Sequence, residues 1–171
     1  MPFFVRWTGK VKAGSQSTQL ICHTDLIATC AEILGAKLPD NAGEDSVSIL
    51  PALLGKDTAP IHEAVVHHSI AGRFAIRQGQ WKSAFGPGSG GWGKPGDNDA
   101  RKQGLPDVQL YDISSDIGET KNVQAEHRDV VERLTKLLDQ AIANGRSTPG
   151  PKQANDAQIV VNKANAAVPK D

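Results

Sequence analysis

Phe74–Lys82, FAIRQGQWK, and Val108–Asn122, VQLYDISSDIGETKN, decide the architecture of this chain. In the first stretch apolar and polar residues alternate, and Phe74, Ile76 and Trp81 mark the buried positions of a half-buried strand. Gln78-Gly79-Gln80 interrupts the run, so the stretch reads as one strand, a tight turn and the start of the next. In the second, Val108, Leu110 and Tyr111 form a strand that runs into a Ser/Asp/Gly turn. Ala64–Ser69, Arg73–Arg77 and Trp81–Phe85 are short strand-like runs separated by turn residues, which predicts an antiparallel meander, and Val108–Ile113 supplies a further strand.

His127–Asn144 is the clearest helix. Val130, Val131, Leu134, Leu137, Leu138 and Ile142 form one stripe, and Asp129/Arg133 and Glu132/Lys136 are i,i+4 pairs on the opposite side. Its apolar stripe needs a partner, and the sheet face is the one available. Upstream, Phe3–Trp7 reads as a buried strand ending at Thr8-Gly9. From Thr24 the spacing of Leu26, Ile27, Cys30, Ala31, Ile33 and Leu34 predicts a helix that Gly35 stops. Ser48 reads as the N-cap of a short helix through Leu53 and Leu54, closed by Gly55. Gly86–Gly104 reads as a mobile Gly/Pro-rich surface loop with one large apolar residue, Trp92, and loops of that kind are where function concentrates. Beyond Arg146 the composition turns to Pro, Lys, Asn, Gln and Ala, which predicts a disordered tail over 146–171.

The 171 residues allow one ordinary domain, or a modest domain plus tails. Lys and Arg total 19, equal to Asp and Glu, so a neutral chain gives little electrostatic reason to bind nucleic acid or an anionic membrane. No window is apolar for long enough to cross a membrane as a helix. Met1–Trp7 meets Arg6 too soon and lacks the basic segment of an export signal, so no leader is read there and the compartment is left unknown. Cys22 and Cys30 are read as buried free thiols, about 12 Å apart along one helix and too far for a disulfide.

Four segments, taken in order, resemble the sulfatase family, the arylsulfatase type in particular. Pro2–Gly9 is similar to a proline-led strand ending in a Trp-Pro-Gly-like turn, with Thr8 where the family has proline. Thr24-Asp25-Leu26-Ile27-Ala28-Thr29 looks like a helix that packs on the large sheet. Gly79-Gln80-Trp81-Lys82 resembles the family's Gly-x-Trp-Lys hairpin. Leu110-Tyr111-Asp112, then Asp116-Ile117-Gly118-Glu119 and Asn122, resembles its Leu-Tyr-Asp … Asp-Pro-Gly-Glu … Asn signature, with Ile117 replacing the proline. The resemblance runs from about Met1 to Gly145 and implies an α+β fragment of an alkaline-phosphatase-like α/β fold. Residues 1–58 match the last strand and helix of the large domain, incomplete here. Residues 59–145 match the C-terminal subdomain, a four-stranded antiparallel sheet packed by a long C-terminal helix.

The resemblance implies hydrolysis of sulfuric esters by a formylglycine made from Cys or Ser in a Cys/Ser-x-Pro-x-Arg motif, beside a calcium ion held by acidic oxygens. Neither Cys22 nor Cys30 is followed by that proline and arginine. Asp40-Asn41 and Asp97-Asn98 have the letters of a calcium pair but follow the matched strand instead of preceding it, and they read as turn dipeptides. The chain is therefore expected to contain no catalytic residue and no metal site, with formylglycine and calcium belonging to intact relatives, and to be inactive alone. A sulfate-ester substrate would need the missing N-terminal domain, and exposed apolar surface would favour self-association. Intact relatives are often exported, so a periplasmic home suits the complete protein.

Candidates to line the substrate mouth are His67, His68 and Trp92. The two histidines alternate across a strand and cannot chelate one metal together; either one lines the mouth, or one ring is packed and the other solvated. Trp92 either stacks on an aromatic or sugar substrate or anchors its loop. Arg73, Arg77 and Lys82 read as exposed sheet charges, and His23, His62 and His127 as cap or surface residues. A non-catalytic binding or interaction module derived from a sulfatase is the competing reading.

Overall fold

A computed structural model describes residues 3–56 and 59–161. Its centre is a four-stranded antiparallel meander in the order β1 (Val65–His68), β2 (Phe74–Gln78), β3 (Trp81–Phe85) and β4 (Val108–Asp112). The two-residue turn Gly79-Gln80 fixes the β2–β3 register, pairing Gln78 with Trp81 and Ile76 with Ser83, and Gly79 takes the left-handed conformation that the turn requires (φ 56°). Because side chains alternate along each strand, this register puts Ile76, Ser83 and Leu110 in one row of the same face.

That face is covered by α4 (Arg128–Asn144), whose Val130, Leu134 and Leu138 are buried against Ile76, Phe85, Leu110 and Val123. Full burial of a Leu or Val is worth about 1.5–3 kcal/mol, so these side chains hold the unit together. Gly145 ends the helix at φ 61°, and its N–H bonds to Ile142 O. The strand-then-turn signature downstream of β4 has a separate physical job for each polar residue. Asp112 Oδ1 accepts the Ser114 N–H and hydroxyl, and Asp116 Oδ2 accepts the N–H groups of Thr120 and Lys121. Asn122 Oδ1 accepts the N–H groups of Leu110 and Gln124, and its Nδ2 donates to Val108 O, so one amide stitches β4 to the segment leading into α4. Asn122→Ala leaves those half-buried groups without partners and is expected to cost about 1–3 kcal/mol in urea unfolding.

The front of the chain is built differently. Helix α1 (Asp25–Leu34) is followed by α2 (Leu50–Leu53), against which it packs. Ser48 is not the N-cap: the helix starts one residue later than read, Ile49 occupies the N-cap, and Ser48 Oγ accepts the Leu50 N–H from the position before it. Phe3–Trp7 is not a strand: it pairs with none of β1–β4, and Phe3, Phe4 and Val5 are exposed. A strand needs a neighbour for its N–H and C=O groups, and the described residues offer this segment none. α1 inverts the usual arrangement, burying Asp25 and Thr29 while Leu26, Ile27, Ile33 and Leu34 are exposed.

Two further readings need correction. Gly86–Gly104 is not loop throughout, since Asp97–Lys102 forms a short helix, α3, with acids in its first turn and bases in its last. The segment after α4 is tied down as well: Ser147 N–H and Oγ donate to Asp45 Oδ1, and Thr148 Oγ1 to Glu44 O. Polar contacts to an earlier loop, invisible to composition, supply that order. Residues 162–171 of the expected tail lie outside the described residues.

Candidate functional site

The outer face of the meander, opposite α4, is the first place where chemistry gathers. Register puts His67 level with Ala75, and Arg77 level with Lys82 and Tyr111. Lys82 Nζ donates to both oxygens of Glu119, at 2.6 and 2.7 Å. Glu119 stands at φ 54°, a left-handed conformation that costs a non-glycine residue of the order of 1 kcal/mol. The ion pair helps to hold it there. His67 and Lys82 open onto a cleft of about 630 Å³ that also reaches Tyr111 and the glycine-rich loop.

Burial pushes the His67 imidazole below its usual range, and the Lys82 ammonium pushes it further the same way. The residue keeps an exposed edge to solvent, so this desolvation is partial. His67 is thus neutral at pH 7, able to donate or accept one hydrogen bond. A depressed histidine contributes stability that is fully present above the unfolded value of about 6.5 and is lost as pH falls toward the folded value. His67→Gln should therefore flatten the fall in stability below about pH 6.5, read from urea midpoints across pH. His68 points to the other face, its ring edge-on to Phe74 at 4.0 Å. The alternation predicted for the pair is what the strand provides.

Beside this face the glycine-rich loop is fitted around buried charge. Arg73 is 8% exposed and pairs with Asp97 at the start of α3, so it is not a surface charge. A Cβ on Gly88 would come 2.7 Å from the Asp97 amide nitrogen, and one on Gly90 2.9 Å from Ser69 Oγ. Only glycine lets the loop pass this close. Trp92, at its tip, is 91% exposed, so it anchors nothing. Arg77 Nε donates to Gly79 O, leaving Arg77 and Lys82 as local braces of the meander.

The second gathering point is at the start of α1. Asp25 is fully buried; its Oδ2 accepts the Cys22 N–H (2.8 Å) and its Oδ1 the Val47 N–H (3.1 Å). Oδ1 also meets His62 Nε2 at 2.8 Å. Thr29 Oγ1 donates to Asp25 O and accepts the Ile49 N–H. One carboxylate thus ties the α1 entry, the α2 approach and the strand-side segment together. His62, read from sequence as a cap or surface residue, is 7% exposed and belongs to this hub. No local spacing signals it, because its partner lies 37 positions away. Cys22 is half-buried and precedes the helix, and Cys30 is exposed, which corrects the reading of two buried helical thiols. Burial pushes the Cys22 thiol up.

Neither place suits calcium. A hard cation wants several oxygens at once; Asp97 is taken by Arg73, and the one cluster of metal-ligating types among the described residues mixes sulfur, nitrogen and oxygen.

No family model matches the chain. Over 142 residues it is 37% identical to the N-acetylgalactosamine-6-O-sulfatase of Bacteroides thetaiotaomicron, a match covering 81% of this chain and 26% of that relative. It is 30% identical over 158 residues to the ulvan-active sulfatase of Formosa agariphila, covering 80% of this chain and 31% of that one. A solved structure titled for the metabolism of multiple glycosaminoglycans by Bacteroides thetaiotaomicron superposes with a TM-score of 0.65 at 35% identity, over 82% of this chain and 28% of that one. The chain belongs to the sulfatase family and matches its C-terminal portion.

It therefore spans about a quarter to a third of the curated sulfatases it matches. The sheet and α4 are the antiparallel subdomain of the alkaline-phosphatase-like fold. Among the described residues of this sulfatase portion no helix is long and apolar enough to cross a membrane.

Proposed function

We propose that this sulfatase portion is a scaffold and pocket rim, which acts on sulfate esters only when joined to the large domain that holds formylglycine and calcium. The observation behind this is the inverted α1: a helix that buries Asp25 and Thr29 and leaves Leu26, Ile27, Ile33 and Leu34 outward is built to be covered on its apolar side. The match to only part of each relative supports the same reading. Neither cysteine stands in a Cys-x-Pro-x-Arg context, so the chain supplies no attacking group of that kind.

In the assembled enzyme His67, on the outer face, and Trp92 line the mouth of the substrate pocket, while His68 packs on Phe74 from the other face. An exposed indole offers a flat face to a sugar ring, and the neutral His67 offers a hydrogen bond to a hydroxyl or sulfate oxygen. The test is complementation. The chain is fused to the remaining N-terminal part of the 37% identical relative, and sulfate release is measured with a sulfated aminosugar and an aryl sulfate. The fusion should turn over, and Trp92→Ala and His67→Gln should raise KM for the sugar substrate several-fold while leaving kcat within about twofold. Unchanged KM in both variants would remove them from the mouth. Glycan binding by the isolated chain through Trp92, with no turnover by the fusion, would favour a stand-alone binding module.

A further inference from the structure

We propose that Cys22, Asp25 and His62 form a binding site for a thiophilic divalent cation of the zinc class. One ligand atom from each residue lies within 4.8 Å of the others, and two of the three residues are buried. Tetrahedral zinc, with bonds of about 2.0–2.3 Å, sets its ligands roughly 3.3–3.8 Å apart. Binding must draw the Cys22 sulfur inward and open the 2.8 Å His62 Nε2–Asp25 Oδ1 contact by about 0.5 Å, and Cys22, the half-buried member, has room to rotate once it leaves Thr24. Sulfur, imidazole nitrogen and carboxylate oxygen together select zinc or cobalt over calcium or magnesium.

The hydrogen-bond pattern says what binding must exchange. Thr24 Oγ1 gives its own hydrogen to Asp45 O, so the 2.8 Å contact between Cys22 Sγ and Thr24 Oγ1 is held by the thiol hydrogen. Binding releases that proton to solvent and frees the sulfur to turn toward the metal. His62 moves its ring hydrogen from Nε2 to Nδ1, so that the Nε2 lone pair replaces the bond to Asp25 with a bond to the metal. Asp25 keeps its two backbone donors, which fix the carboxylate in place. The charge balance is one thiol proton lost per cation bound. The fourth position faces an open cleft of about 650 Å³ that His23 also lines, leaving room for water or an outside ligand.

The full chain, stripped with chelator, is titrated with zinc by calorimetry and with cobalt by absorption. The expected result is one zinc per chain at micromolar or tighter affinity, and a thiolate-to-cobalt charge-transfer band in the near ultraviolet. Cys22→Ser should remove the band and weaken zinc at least tenfold, His62→Gln should weaken it similarly, and Cys30→Ser should do neither. If Cys22→Ser fails to fold, the wild-type chain gives the second reading: zinc should protect Cys22 from iodoacetamide and leave Cys30 reactive. Absence of saturable one-to-one binding, a band that survives in Cys22→Ser, or equal protection of both thiols would overturn the proposal and leave the cluster a hydrogen-bond hub alone.

Discussion

Replacing Asp25 with alanine is expected to detach the front of the molecule, from Cys22 through Ile49, from the sheet unit. The substitution removes the acceptor for Cys22 N–H, Val47 N–H and His62 Nε2 in one step. Each buried donor left alone costs about 1–3 kcal/mol, and breaking a buried charge-assisted pair from one side typically costs about 3–5. The loss should approach the upper figure, since Asp25 is fully buried and solvent cannot replace it without local opening. Amide exchange at Cys22, Val47 and Ile49 reads this directly, while amides of β2 and β3 should keep their protection. Asp25→Asn is the informative partner: with its carbonyl oxygen in the Oδ1 place it still accepts from Val47 N–H and His62 Nε2 and loses only the Cys22 N–H bond, so its effect should be smaller. A loss below about 1 kcal/mol in Asp25→Ala would mean that the hub does not hold this segment.

Leu134→Ala should strike the other half. Leu134 is fully buried between α4 and the sheet, in a cluster with Ile76, Phe85, Leu110 and Leu138. Truncating a core leucine costs about 2–5 kcal/mol, from lost transfer energy plus the cavity left behind. α4 packs on β2 and β3 and on Leu110 of β4, so the damage should appear as a lower urea midpoint with an unchanged slope, and as faster exchange throughout the meander. Leu137→Ala, on a partly buried neighbour, should cost markedly less. Equal effects from the two would contradict the packing.

The meander and α4 were legible because local pattern and tertiary role agree there. Gly79 sits at a two-residue turn, strands alternate about it, and the α4 stripe repeats at helical period. The Leu-Tyr-Asp signature was legible as a resemblance, and the hydrogen bonds of Asp112, Asp116 and Asn122 supply its physical reason. What stayed hidden depends on distant partners. His62 and Arg73 look like surface residues by type, and nothing adjacent announces that Asp25 or Asp97 will meet them. Phe3–Trp7 misled for the opposite reason: its pattern is that of a strand, but pairing needs a neighbour that the described residues do not supply.

The most direct measurement is turnover of an aryl sulfate by the isolated, folded chain in the presence of calcium. If the polypeptide frames a pocket whose attacking group lies elsewhere, sulfate release should equal the buffer blank. Release above that blank, abolished by a substitution within this chain, would contradict the account.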